Sequence, residues 1–298
     1  MELAVKLIKV IETSGNNPQL IFSSSTQETR DNAYGRGKKE ARKLFLDWSR
    51  DKDSRFSGLV IPNVFGPFGK PYYNSVVATF CHQLNLGEEP RIKVDADLEL
   101  IYVADLVKYI MDIIDKETSG QEIMVPPTGT MKVSAILSLL NGYKSGYLSD
   151  HVIPGFNSPL EAALFNTLMS YRNEGEHSVS LALHEDKRGH LFEIVKGESG
   201  GQSFFSLTKP GITRGNHFHT HKVERFCVVQ GEAVIRLRKL GSREIIEFPV
   251  SGSSPTALDI PVFYTHNITN TGDSELLTLF WSNEIFNPED PDTYYKEV

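Results

Sequence analysis

Hydrophobic positions follow two different patterns along the chain. In the first half, apolar residues recur at helical spacing over residues 2–11 and 34–49, and short continuous apolar runs at 20–22 and 59–61 predict buried strands. Further helices are predicted over residues 74–86, 103–116 and 158–172. Strands that alternate with helices are typical of a parallel sheet with helices on its faces, so we predict an α/β domain of this kind.

From about Ser178 the pattern changes to short alternating runs. These runs cover residues 179–183, 204–207, 226–229, 233–237 and 276–280, and Gly and Pro separate them. Closely spaced short strands are typical of an all-β sandwich or barrel. We therefore predict an N-terminal domain over residues 1–172 and a C-terminal β domain over residues 177–298, joined by a short polar linker.

Composition and charge narrow the class of protein. The formal net charge of −7 argues against nucleic acid as the main partner. The two cysteines lie far apart in the sequence and predict no disulfide framework, which fits a reducing compartment. Apolar runs are too short to cross a bilayer, and the first residues lack the apolar core of a signal peptide. We expect a cytoplasmic protein that binds neither nucleic acid nor membrane.

One constellation of side chains predicts a metal site. The segment GITRGNHFHTHKVERFCVVQG sets His217 and His219 two residues apart and places Glu224 five residues further on. Residues two apart on a strand point to the same face, so both imidazoles can reach one ion. The later segment PVFYTHNITN supplies His266. Three imidazoles and one carboxylate suit Zn, Fe, Mn or Ni, and we predict a divalent metal here, with zinc favoured.

Both segments resemble the motifs of the cupin superfamily. The first cupin motif, G-x5-H-x-H-x4-E-x6-G, is matched at every fixed position from Gly211 to Gly231. The second, P-x-G-x2-H-x3-N, is matched except that Phe263 stands in place of its glycine. The resemblance implies a small jelly-roll barrel with a metal inside it. The alternative is a group of histidines that binds no metal.

A more local resemblance concerns the chemistry. The strings DKRGHLFE (residues 186–193) and RGNH (residues 214–217) resemble segments of the deoxysugar nucleotide 3,5-epimerases and related sugar ketoisomerases. The resemblance implies that His217 is a general base that takes a proton next to a sugar ketone. It also implies that Arg188 and Arg214 lie near substrate, because a guanidinium can bind a diphosphate in a bidentate manner.

The two roles predicted for His217 exclude each other. An imidazole that ligates a metal is not free to act as a base. If His217 is a ligand, either the metal is the electrophile and Tyr264 or His221 moves the proton, or the metal is structural. The sequence leaves these alternatives open.

A second constellation lies in the N-terminal half. Tyr34 and Lys38 have the Tyr-x3-Lys spacing, which puts both side chains on one face of a helix. A neighbouring lysine lowers the pKa of a phenol, and such a tyrosine can protonate a carbonyl oxygen while a nicotinamide delivers hydride. Ser25, at the end of the preceding strand, can hydrogen-bond the same oxygen. These three residues are the predicted catalytic group of a reductase.

Several segments resemble the extended short-chain dehydrogenase/reductase family. They are IFSSS, the Tyr34–Lys38 helix, NVFGP and LIYVADL. The resemblance implies that NADP(H) binds near Tyr34, Lys38 and Asn63, and that a nucleotide sugar binds near Asn63 and Asn74. The family's glycine-rich turn, G-x-x-G-x-x-G, occurs nowhere in the sequence. We therefore expect an incomplete Rossmann-like sheet, weak NADP(H) binding and an impaired reductase.

The pairing of such a reductase domain with a sugar cupin resembles a family of bifunctional capsular polysaccharide biosynthesis enzymes. The resemblance implies that the cupin epimerises C3 of a UDP-4-keto-6-deoxy-N-acetylhexosamine. The reductase would then reduce the C4 ketone with NADPH to a UDP-6-deoxy-talose-type product, and the protein would be a homodimer. Two other functions stay open: a metal-dependent cupin oxygenase or isomerase acting on another small molecule, and a non-catalytic metal- or ligand-binding module.

Overall fold

The chain folds into two compact units. A computed structural model describes residues 2–149, 151–181, 184–186, 189–191, 196–197, 201–284 and 287–298. One unit combines Met1–Phe65 with Val94–Val133, and the other combines Gly66–Lys93 with Ser134–Val298. Within these described ranges, no helix has the length and apolar character that a membrane span requires.

The helices agree with the predicted helical segments and add one. They are α1 (Glu2–Ser14), α2 (Ala33–Asp51), α3 (Val76–Asn85), α4 (Val103–Asp115), α5 (Val133–Tyr143) and α6 (Pro159–Ser170). Capping side chains fix where several of them begin. Asn32, for example, accepts a hydrogen bond from the Gly35 amide at 2.7 Å, which satisfies a donor in the first turn of α2.

The strands are short and concentrate in the second half. They are β1 (Leu20–Ser25), β2 (Phe56–Ile61), β3 (Asn63–Phe65), β4 (Asp97–Tyr102), β5 (Gly120–Met124), β6 (Gly129–Lys132), β7 (Val152–Ile153), β8 (Ser178–Ser180), β9 (His184–Asp186), β10 (Gly189–Leu191), β11 (Lys196–Gly197), β12 (Gln202–Thr208), β13 (Thr213–Phe218), β14 (Glu224–Gln230), β15 (Glu232–Lys239), β16 (Ile246–Ser251), β17 (Thr256–Ile260), β18 (Tyr264–Asn270), β19 (Leu276–Ser282) and β20 (Tyr294–Tyr295).

In the first unit, parallel strands form the predicted sheet. β1, β2 and β5 pair in the order β1-β2-β5, and both pairings are parallel. Every residue of β2 is buried, as expected for a strand covered on both faces. A second small sheet has the order β3-β4-β6. Phe45 and Trp48 of α2 share a hydrophobic cluster with Leu20 and Phe56 of the sheet, which holds this helix on the sheet.

In the second unit, two five-stranded antiparallel sheets enclose the core. Their orders are β12-β19-β14-β17-β8 and β16-β15-β18-β13-β20. One buried cluster takes Ile235 and Leu237 from the second sheet and Leu258 and Leu276 from the first. This arrangement confirms the predicted fold class, an α/β parallel sheet followed by an all-β jelly-roll domain.

A buried ion pair ties the β-sheet to a neighbouring helical turn. Arg225 of β14 donates from Nε to Asp259 of β17 at 2.7 Å, and both residues are 1% exposed. The Arg225 guanidinium also donates to the Tyr147 hydroxyl at 2.9 Å. Arg172 adds a second cation, 3.2 Å from the same carboxylate. A buried charge is tolerated only when it is paired in this way, so the network fixes these elements together.

Candidate functional site

The structure brings the four predicted metal ligands together. His217 of β13 and His266 of β18 are directly opposite each other in the antiparallel pair. Glu224 is the first residue of β14. The ligand atoms of His217, His219, Glu224 and His266 all lie within 4.8 Å of one another. Tetrahedral coordination with bonds of about 2.1 Å places ligand atoms roughly 3.4 Å apart, so the cluster has the dimensions of a metal site.

His219 reaches the cluster by a different route from the predicted one. We expected His217 and His219 to share one strand, but β13 ends at Phe218 and His219 lies in the following turn. A bond to the main chain sets its ring orientation, because Nδ1 donates to the carbonyl oxygen of Asp292 at 2.5 Å. Asp292 was not singled out as a site residue from the sequence.

The hydrogen bonds of the imidazoles show that the cluster suits a cation. Nδ1 of His219 donates to Asp292, and Nδ1 of His266 donates to the Tyr264 carbonyl at 3.2 Å. Both Nε2 atoms therefore face the buried carboxylate, 3.0 and 3.1 Å from Oε2 of Glu224. Lone pairs that face a buried carboxylate repel it unless a proton or a metal ion lies among them. The His266 Nε2 makes no hydrogen bond within the described structure, which favours the metal.

The electrostatics of the cluster agree with this assignment. Burial would raise the pKa of Glu224, but the neighbouring His219 and His266 hold it well below the ordinary value. Burial, together with the charges of His266 and His219, lowers the pKa of His217 to about 4. Burial also acts against the charged form of His219, but the bond to Glu224 outweighs it and raises the pKa of His219. An ionised carboxylate among three imidazoles is a donor set for a divalent ion.

A cavity opens onto the cluster. Its volume is about 300 Å³, and it is lined by Phe204, Phe205, Ser206, Arg214, Gly215, His217, Glu224, Phe226, Ile268 and Phe280. The predicted substrate contact Arg214 and the predicted ligand His217 thus lie on the wall of one cavity. The rings of Phe204 and Phe280 are stacked 4.9 Å apart and give that wall an apolar face. The cavity combines a cation, metal ligands and aromatic surface, as small-molecule sites do.

The two side chains proposed as alternative proton carriers lie elsewhere. Tyr264 is 2% exposed and belongs to the hydrophobic core, with its ring centroid 5.5 Å from that of His177. His221 lies in the turn after β13, where its Nδ1 is 3.0 Å from the Thr220 hydroxyl. Neither is among the described residues that line this cavity. Their placement gives no support to a role in proton transfer there.

In the first unit, Tyr34 and Lys38 lie on the same face of α2. The Lys38 ammonium is 5.8 Å from the centroid of the Tyr34 ring, and it donates to the carbonyl oxygen of Ser23 at 2.7 Å. Burial lowers the pKa of Lys38. The Tyr34 side chain is exposed, as a group that meets a substrate must be. Ser25 caps a short 3₁₀ turn by accepting from the Gln27 amide at 3.2 Å.

The remaining predicted contacts have different outcomes. Asn63 begins β3 and donates from its side chain to the Glu99 carbonyl at 3.0 Å, so this amide serves the sheet. Asn74 has a positive φ of 55° in an exposed loop. Arg188 lies outside the described residues, as does much of the DKRGHLFE segment that suggested it.

Comparisons with known proteins agree with this architecture. Residues 4–125 match the NAD dependent epimerase/dehydratase family, and residues 184–294 match the polysaccharide biosynthesis C-terminal domain. The UDP-2-acetamido-2,6-beta-L-arabino-hexul-4-ose reductase of Pseudomonas aeruginosa is 31% identical over 98% of this chain and 79% of its own length.

Two further comparisons extend this likeness. The crystal structure of the capsular polysaccharide assembling protein CapF from Staphylococcus aureus is 36% identical, with a TM-score of 0.61 over 99% of this chain and 80% of that one. The probable low-salt glycan biosynthesis epimerase Agl13 of Haloferax volcanii is 24% identical over 38% of this chain and 80% of its own length. Because its matches to this reductase and to CapF extend along almost its whole length, the chain belongs to the family of these two proteins.

Proposed function

We propose that this chain is a nucleotide-sugar enzyme of surface polysaccharide synthesis that acts on a UDP-4-keto-6-deoxy-N-acetylhexosamine. Residues 177–298 epimerise C3. Residues 1–172 carry the group that reduces the C4 ketone with NADPH to a UDP-6-deoxy-talose-type product, a step that is impaired in this chain because its sequence has no glycine-rich turn. The observation that carries the proposal is the single cavity that contains both Arg214 and the His217–Glu224 edge of the metal cluster. The similarity to a UDP-2-acetamido-hexulose reductase supports the substrate class, and the similarity to a glycan biosynthesis epimerase supports the reaction of residues 177–298.

The epimerisation requires a carbon acid and a way to stabilise its anion. The C4 ketone acidifies the proton on C3, transfer of that proton to a base leaves an enolate, and return of a proton to the opposite face of C3 gives the epimer. A divalent ion held by the cluster would supply Lewis-acid stabilisation of the negative oxygen. Arg214 contributes a fixed positive charge for the diphosphate, and the phenylalanines of the wall exclude water.

For His217 we favour the ligand role over the base role. Its ring bonds the backbone of Gly215, and its centroid lies 4.6 Å from that of His266. All three imidazoles therefore use one nitrogen for a backbone partner, which is the usual support of a metal-bound histidine. A lowered pKa keeps His217 neutral, as metal binding requires.

The reductase step assigns distinct roles to three side chains. Tyr34 gives a proton to the ketone oxygen as hydride arrives at C4, and Ser25 hydrogen-bonds that oxygen. The Lys38 ammonium, 5.8 Å from the centroid of the Tyr34 ring, would stabilise the negative charge that develops on the Tyr34 oxygen as its proton is transferred. Asn63 and Asn74 are proposed to bind the cofactor and sugar. A homodimer in the cytoplasm completes the proposal, and the free, buried thiols of Cys81 and Cys227 are compatible with a reducing compartment.

Solvent exchange tests the two halves separately. The purified protein, loaded with Zn²⁺, is incubated with the 4-keto sugar in D₂O without NADPH, and deuterium at C3 is followed by NMR. We expect exchange with wild type and with Tyr34→Phe, whereas Glu224→Gln abolishes it. Folded, metal-loaded protein that gives no exchange would contradict the epimerase assignment. If Glu224→Gln still exchanges deuterium at C3, the metal cluster is not needed for the proton removal.

A further inference from the structure

The segment of residues 291–296, called here the C-terminal strap, is built into the loop that carries a predicted metal ligand. At its centre Asp292 is 7% exposed. Its carboxylate accepts hydrogen bonds from the backbone amides of Thr220, His221 and Lys222 at 2.9, 2.8 and 2.9 Å, and from the Thr220 hydroxyl at 2.5 Å. A carboxylate that accepts several amide bonds in a buried position fixes the backbone that donates them.

The main chain of the same residue contacts the metal cluster. The carbonyl oxygen of Asp292 accepts from Nδ1 of His219 at 2.5 Å. This bond places a proton on Nδ1, so Nε2, which lies 3.0 Å from Glu224, is the nitrogen that a metal ion would use. The side chain of Asp292 therefore fixes the path of the loop, and its carbonyl oxygen fixes the orientation of the His219 ring in that loop.

Further bonds hold the strap in place on both sides of Asp292. The Lys222 ammonium donates to the carbonyl of Pro291. On the other side, β20 pairs with β13, with Tyr295 opposite His217. The Lys296 amide donates to the Asn216 carbonyl at 2.8 Å. Asp292 itself has a positive φ of 40°, a conformation that a non-glycine residue adopts only when its surroundings impose it.

From these contacts we infer that Asp292 is a positioning residue of the metal centre, holding the turn after β13 through its carboxylate and the ring of His219 through its carbonyl. The inference rests on the proposed metal site. It predicts that metal affinity depends on a residue that does not touch the metal. Partners of metal-bound histidines typically change affinity by about 10–100-fold when they are lost.

The test measures metal binding rather than turnover. Asp292→Asn keeps the size of the side chain and its tolerance of positive φ. It replaces one carboxylate oxygen, which accepts hydrogen bonds, by an NH₂ group, which faces the N–H donors of the loop and cannot accept from them. We expect Zn²⁺ affinity, measured by competition with a chromogenic chelator, to fall about 10–100-fold. The visible absorption bands of the Co²⁺-substituted protein should change as well, since they report ligand geometry. Asp273→Asn, in an exposed turn, is the control and keeps wild-type values.

The outcomes distinguish this inference from the proposed function. Wild type that fails to bind stoichiometric metal overturns the metal centre itself. Wild type that binds metal, together with Asp292→Asn of unchanged affinity and unchanged Co²⁺ spectrum, overturns the role of Asp292 alone. If Asp292→Asn does not fold, the variant Thr220→Val replaces it, because it removes the hydroxyl bond to the same carboxylate. If Thr220→Val has the metal affinity and the Co²⁺ spectrum of wild type, the inference is overturned.

Discussion

Arg214 and His217 are three residues apart in the sequence, yet both lie on the wall of one cavity. On a regular strand this spacing would direct them to opposite faces. A bulge between Gly215 and His217 corrects the alternation, so that Arg214 lies opposite Ile268 and His217 opposite His266. Gly215 and Asn216 have positive φ values of 103° and 59°. The R-G-x-H string thus marks a bulge that turns the His217 side chain toward the cavity.

Alanine at Gly215 tests the bulge. A Cβ there would lie 2.7 Å from the His266 carbonyl oxygen, in addition to the strain of its φ. We expect Gly215→Ala to lose about 3 kcal/mol or more of unfolding free energy and much of its metal affinity. Gly211→Ala is the matched control, because Gly211 also has a positive φ, but a Cβ at that position would meet no atom within 4 Å. It should lose only about 1 kcal/mol, and equal losses in urea unfolding would contradict the explanation.

Phe263 occupies the position of the cupin glycine with a φ of 60°, which is a strained conformation for an aromatic residue. Its ring contacts compensate for that strain, with centroids 5.6 Å from Phe68 and 6.4 Å from Phe218. Phe263→Gly and Phe263→Ala both remove the ring, but only alanine keeps the strain. We expect the glycine variant to be the more stable of the two by roughly 1 kcal/mol in chemical denaturation. If Phe263→Ala is as stable as Phe263→Gly, the backbone at residue 263 is not strained.

His177 should make stability depend on pH. It is fully buried, neither ring nitrogen has a hydrogen-bond partner in the described structure, and burial followed by the charge of Arg172 lowers its pKa to about 4 from 6.5. Between pH 4 and 6.5 the unfolded chain therefore binds a proton that the folded chain does not, so stability rises with pH in that window and is constant above it.

The variant His177→Leu removes this titration. It should flatten the rise of unfolding free energy with pH, as measured by urea unfolding of metal-free protein. At neutral pH it should be neutral or stabilising, because it also removes unsatisfied polar atoms from the interior. A slope identical to that of wild type would contradict the assignment.

Asp259 neutralises two buried guanidinium groups. Asp259→Asn removes the carboxylate that pairs with the Arg225 guanidinium, which is 1% exposed. We expect a loss of about 3–5 kcal/mol in unfolding free energy. The control is the surface pair of Arg236 and Glu247, 2.6 Å apart, where the Glu247 side chain is 56% exposed. There Glu247→Gln should cost less than about 1 kcal/mol, and comparable losses at both sites would contradict the role of burial.

NADPH titration tests the reductase half. The sequence contains no G-x-x-G-x-x-G turn, so the amides of that turn, which usually hold the pyrophosphate, do not contribute to binding. We expect NADPH, followed by its nicotinamide fluorescence, to bind weakly, and we expect little hydride transfer. The variant Tyr34→Phe should bind NADPH as well as wild type does. Tight, stoichiometric binding would show that another part of the chain holds the pyrophosphate.

The sequence pattern was sufficient to predict those helices and strands that are determined by the spacing of neighbouring apolar residues. The helices near residues 76–85 and 103–115 and the buried β2 follow directly from apolar periodicity. The four side chains grouped from the two motifs do lie together in the fold, because each motif fixes its own spacing. The helix α5 was missed, since its short apolar pattern does not differ clearly from that of a buried strand.

Features that depend on contacts distant in sequence were not predictable. The bond between His219 and Asp292 joins residues 73 positions apart, and neither residue type signals it. Tyr264, proposed as a proton carrier, packs in the core between the two sheets and is not among the described residues that line the cavity. It lies two residues before His266, on the same face of β18, so the strand pattern alone could not show this.

The pairing of β20 with β13 has a consequence for handling the protein. Strand edges with unpaired amides are templates for intermolecular pairing, and here two residues of β20 cover part of the metal-binding strand. Detachment of the strap would uncover that edge at the same time as it released His219. Substitutions that detach the strap should therefore lower metal affinity and promote self-association together.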